Sequence, residues 1–144
     1  MKKRVSGILM MFSLLLVVTA ATVHAQSNRS SITIPFSFNV GEKTFPAGEY
    51  TVEPNKRDSR TVWLLQSSKE NNSILFTTNA VWTLETNEET KLVFNNYDGQ
   101  YFLSQIWTAG ENSGRELRKP RLEATLAKNG IRHEKVVVTR GEGQ

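Results

Sequence analysis

Two apolar runs meet at Asp98-Gly99, and this junction limits the possible folds more than any other stretch of the chain. Lys91 to Tyr97 and Gln100 to Ala109 flank a dipeptide suited to the positive φ angles of a tight hairpin turn. In the second arm Tyr101, Leu103, Trp107 and Ala109 form the more apolar face, with Gln105 among them. Phe102, Ser104, Ile106 and Thr108 form a mixed face. Bulky apolar groups on both faces predict a hairpin inside a sheet rather than at its edge.

The rest of the chain repeats the pattern of short strands and turns. From Ser31 to Val40 the alternation is complete, with Ile32, Ile34, Phe36, Phe38 and Val40 on one face. Pro35 cannot donate to a ladder, which puts this strand at an edge or gives it a bulge. Turns are expected at Gly41 to Lys43 and at Phe45 to Gly48, followed by strands over Glu49 to Glu53 and Thr61 to Gln66. Ser73 to Glu85 reads as one long strand bearing Ile74, Phe76, Thr78, Ala80, Trp82 and Leu84 on one face. Its length predicts a bend near Asn79-Ala80. Gly110 to Gly114 reads as a loop. Ser113 and Glu116 have capping-box spacing, but Pro120 blocks a long helix there. A short helix is expected from about Lys119, with Pro120 in its first turn, Gly130 at its end, and Leu122 and Leu126 pressed on the sheet. Val136 to Val138 marks a last strand. The expected architecture is mainly β: a single small antiparallel barrel or sandwich of seven or eight strands, with one short helix before the last strand.

The first residues are of another kind. Lys2, Lys3 and Arg4 precede an apolar run from Ile8 to Ala21, and Val23-His24-Ala25 presents small residues where a signal peptidase cuts. The expected division is a signal peptide over 1–25 and one β-rich domain over 26–144, exported to the periplasm or beyond, with no transmembrane segment after cleavage. Without the leader, the 18 basic residues fall by three while all 14 acidic ones stay, so the mature charge is +1. That balance lacks the basic footprint of a nucleic-acid-binding domain. There is no cysteine, hence neither a disulfide nor a lipid anchor on one.

Two segments carry a resemblance. ITIPFSFNVGEKTFPAGEYTV (Ile32 to Val52) and YDGQYFLSQIWTAGENSGRELRKPRLEATLA (Tyr97 to Ala127) resemble an uncharacterised family of small bacterial secreted proteins. Its members share a "PFSF-VG-K-FPAGEY" opening and a "YFLS-IW--G---GREL-KSR-E" hairpin and helix. The resemblance implies export and a compact, mostly β domain, and it brings no catalytic or ligand residues. Pro120 stands where that family has Ser.

Candidate chemistry is sparse. His133 is the only histidine after the leader, too few for a zinc site or for a serine triad with a nucleophile elbow, and no G-x-S-x-G occurs. Glu49, Glu53, Glu111 and Glu116 show no spacing that would pair two carboxylates for glycoside hydrolysis. An outer-membrane barrel fits poorly, because charged turns split strands too short to span. We therefore expect a non-enzymatic protein without cofactor or metal. The binding candidates are Arg115, Arg118 and Arg121 around the start of the helix, with Trp107 and Tyr101 in the hairpin. The partner would be an envelope or extracellular macromolecule; alternatively, a small apolar ligand would sit in a barrel cavity.

Overall fold

The structure, a computed structural model, describes residues 31–58 and 61–140. The expected signal peptide lies outside the described residues. Among the described residues ten strands and one helix follow in chain order: β1 (Ser31–Ile34), β2 (Phe38–Val40), β3 (Lys43–Phe45), β4 (Gly48–Pro54), β5 (Val62–Ser67), β6 (Ser73–Trp82), β7 (Lys91–Tyr97), β8 (Gln100–Trp107), β9 (Ser113–Leu117), α1 (Arg121–Lys128) and β10 (His133–Thr139). The protein is mainly β, and the one helix among the described residues precedes the last strand.

All strands join one sheet. Its path runs β1-β4-β5-β6-β9-β8 and continues through β7 to β10. β2 lies parallel to the start of β8 at Phe38–Tyr101, and β3 pairs antiparallel with β2. β8 thus takes β9 along its second half and β2 along its first. The terminal strands β1 and β10 come into contact without a ladder between them, so the sheet curls round but is not closed.

The central hairpin forms as its turn chemistry predicts. Asp98 has φ 51° and Gly99 φ 87°, and the Gly99 N–H donates to Asn96 Oδ1 at 2.8 Å. Its two arms are interior to the sheet, as expected from their apolar faces. One detail differs. Val93 pairs with Gln105 but Phe94 pairs with Leu103, so Ser104 is an extra residue in β8. A one-residue slip exchanges the faces of everything beyond it. Tyr101 and Leu103 accordingly face the core, but past the bulge Ile106 turns inward and Trp107 outward. Simple alternation predicts the reverse for those two.

Other expectations change for local reasons. The alternating run from Ser31 to Val40 is two strands, because Pro35 interrupts it and the halves take different partners, β4 and β8. The face pattern survives the break: Ile32, Ile34, Phe38 and Val40 are all buried. β6 changes neighbour where a bend was expected, pairing with β5 up to Thr77 and with β9 from Thr78, in unbroken register. Trp82 and Leu84, expected on the same face as Ile74 and Phe76, are 72% and 102% exposed: Trp82 is the last residue of β6 and Leu84 lies beyond it. Ser113 to Leu117 is a strand, not the end of a loop or the start of a helix. Gly114 permits this pairing: a Cβ there would sit 2.5 Å from the Trp107 ring that covers it.

The helix also docks differently from its apolar pattern. Pro120 is its N-cap and offers no side-chain bond, and the Arg121 N–H donates instead to Glu42 Oε1 at 3.1 Å from the β2–β3 turn. A carboxylate there also suits the helix dipole. Leu122 is 46% exposed, whereas Glu123 is 2% exposed and faces β7. Asn95 Nδ2 donates to Glu123 Oε1 at 2.7 Å, and the Tyr97 hydroxyl lies 3.4 Å from the same oxygen. The most buried side chain of the helix is thus a hydrogen-bonded carboxylate, while Leu122 is exposed and Leu126 half-buried.

Inside the curl, one end is filled by aromatic rings. Phe36 stacks on Tyr101 at 3.9 Å, and Phe38 meets Phe45, Tyr50 and Phe94 at 5.7, 5.1 and 5.4 Å. The Tyr50 hydroxyl donates to the Pro46 carbonyl at 2.7 Å, tying β4 to the turn before it. Burial, followed by the nearby Glu70 carboxylate, raises the Tyr50 pKa above its usual value.

Candidate functional site

The other end of the interior is open. Ile32 from β1, Val52 and Pro54 from β4, Trp63 from β5, Leu92 from β7 and Ile106 from β8 surround a cavity of about 400 Å³. Thr90, Thr108, Glu111, Ser113 and Arg115 complete its rim. The volume falls in the range of small-ligand pockets. The walls arise from ordinary strand alternation, since Ile32, Leu92 and Ile106 are inward positions that continue into the core.

Two polar groups distinguish this cavity from a packing defect. The Trp63 side chain is only 7% exposed, and its indole N–H is buried with no acceptor among the described residues. An unsatisfied donor of this kind costs about 1–3 kcal/mol. Arg115 is the second. It pairs across β9 with Ile106 on one side and Ala80 on the other, and Leu117 two residues on is buried in the core. These neighbours place Arg115 on the inner face of its strand. Among the described residues its guanidinium has neither a hydrogen bond nor an ion pair. Glu111, on the same rim, is exposed and accepts from Ser113 Oγ at 3.4 Å.

The structure separates the residues that the sequence groups together. Arg115 alone reaches the cavity. Arg118 borders an open depression with Gly41, Ile74 and Leu117, and Arg121 opens the helix with its N–H on Glu42. Trp107 lies outside the curl over Gly114, its Nε1 donating to Gln105 Oε1 at 3.2 Å. Tyr101 belongs to the filled aromatic end. Arg115 and Arg118, close in sequence, border different depressions. Trp63 was not singled out from sequence. Its signal there is the apolar run Val62 to Leu65, which marks a buried strand but not which ring borders space.

A second polar cluster sits outside the sheet. His133 begins β10 and is exposed, yet its Nε2 lies 3.0 Å from Asn95 Oδ1 and its ring stacks on Tyr97 at 4.9 Å. The Asn95 amide donates to Glu123, so its oxygen is the acceptor and His133 Nε2 the donor. Glu123, Asn95, Tyr97 and His133 satisfy one another and line no cavity together. Their geometry joins helix, β7 and β10. Among the described residues no three His, Asp or Glu side chains converge as metal ligands, and no helix is long and apolar enough to cross a membrane. No protein-family model, curated protein or solved structure matches this chain.

Proposed function

We propose that this is an exported, non-enzymatic binding domain that holds a small, mainly apolar ligand in the open end of a small barrel. The curled sheet, with β1 and β10 in contact, supports the barrel reading over a flat sandwich. The leader over residues 1–25 supports export. One observation carries the ligand reading: a cavity of about 400 Å³ opens among the inward side chains of Ile32, Leu92 and Ile106, with the inward Arg115 on its rim. An apolar ligand there would cover Ile32, Leu92 and Ile106. The alternative reading is a macromolecular partner met by Arg115, Arg118 and Arg121; the cavity beside Arg115 favours the carrier reading over it.

Native mass spectrometry of the gently purified protein tests this. The expected result is an added mass of a few hundred daltons that disappears on organic extraction, together with rebinding of a neutral apolar fluorophore by the stripped protein. A stripped protein that takes up no apolar probe would remove the carrier reading.

A further inference from the structure

We infer that the ligand is a monovalent anionic amphiphile, with its acidic head at Arg115 and its apolar body along Ile32, Leu92, Ile106 and Trp63. This inference rests on the carrier reading and adds the chemical class of the cargo. Arg115 stands at an inward position of β9, opposite the buried Ile106, where strand alternation elsewhere places apolar side chains. A charge there is costly unless it is hydrated or paired. No carboxylate among the described residues reaches ion-pair distance, so the guanidinium keeps all its donors for what enters the cavity. Its planar fork suits a carboxylate, which it can hold through two parallel hydrogen bonds. Glu111 on the same rim adds a negative charge, which disfavours a doubly charged phosphate more than a singly charged head. The cavity of about 400 Å³ would hold roughly a dozen water-sized groups, enough for a medium-length chain but not for a two-tailed lipid.

Three probes of equal chain length separate the possibilities: decanoate, decanol and decyltrimethylammonium, titrated calorimetrically into the stripped protein. Decanoate should bind at least about 10-fold more tightly than decanol, and the cationic probe most weakly. Arg115→Gln should bring decanoate down to the affinity of decanol and leave decanol unchanged, whereas Arg118→Gln should alter neither. In the unmodified protein, raising the salt concentration should weaken decanoate and spare decanol, a readout that survives if Arg115→Gln does not fold. Equal binding of decanoate and decanol, or salt-independent decanoate binding, would overturn the anionic assignment and leave the carrier reading standing. Failure of all three probes to bind would remove both.

Discussion

The two ends of the interior share β4, β7 and β8 yet resolve differently. At the filled end, Phe36, Phe38, Phe45, Tyr50, Phe94 and Tyr101 meet ring against ring, mostly edge to face. At the open end Ile32, Val52, Leu92 and Ile106 are joined by Trp63 and the inward Arg115, and about 400 Å³ is left between them. Aliphatic side chains in place of packed rings, β9 in place of β2 and β3, and the bulge in β8 distinguish the open end from the filled one. The filled end stabilises the domain through ring contacts and area removed from water. The open end gives up some of that stabilisation and leaves a cavity. The main ring packing and the proposed binding site therefore lie at different ends of one interior.

This division can be broken most severely at the filled end. Phe38→Ala removes a fully buried ring that touches three others and should cost about 3–5 kcal/mol, read as a fall in the urea midpoint at constant slope. Next comes the seam beside the cavity. Gly114→Ala would force a methyl 2.5 Å from the Trp107 ring, with a loss of about 1–3 kcal/mol in the same assay.

A matched pair sharpens the contrast further. Val40→Leu adds bulk at a fully buried position and should cost about 1–3 kcal/mol. Val52→Leu adds the same bulk beside open space and should cost less than about 1 kcal/mol while weakening uptake of an apolar probe. Equal losses for the two variants would mean that the open end is as tightly filled as the other.

The smallest effect is a pH dependence confined to the filled end. The Tyr50 phenol has a raised pKa in the folded protein, so its contribution is complete below the unfolded value of about 10 and is lost as pH rises toward the folded value. Chemical denaturation across that alkaline window should show a decline that Tyr50→Phe lessens. Probe binding at the cavity should not follow the Tyr50 titration.

Much of this fold is legible in the residue pattern. The hairpin at Asp98-Gly99, the inward set from Ile32 to Val40 and the short helix before the last strand follow from alternation and turn chemistry. What escapes is set by pairing between distant segments. The bulge at Ser104 turns Ile106 inward and Trp107 outward, and nothing local marks that position. β9 is hidden because Ser113 and Glu116 mimic a helix start, while its identity depends on β6 and β8 on either side. Glu123 reads as solvent-facing until Asn95 and Tyr97 are brought beneath it by the hairpin. Of the residues marked for binding, only Arg115 lines the cavity. The charge was visible in sequence, but its inward direction depended on the unseen strand.

The contrast between the two ends is tested most directly by xenon binding followed through methyl NMR, because apolar cavities take up xenon whereas close-packed cores do not. Xenon should shift the methyl resonances of Ile32, Val52, Leu92 and Ile106, and leave those of Ile34, Val40 and Leu103 in place. Shifts absent from the first group, or equal in both, would contradict an interior divided into a filled end and a binding end.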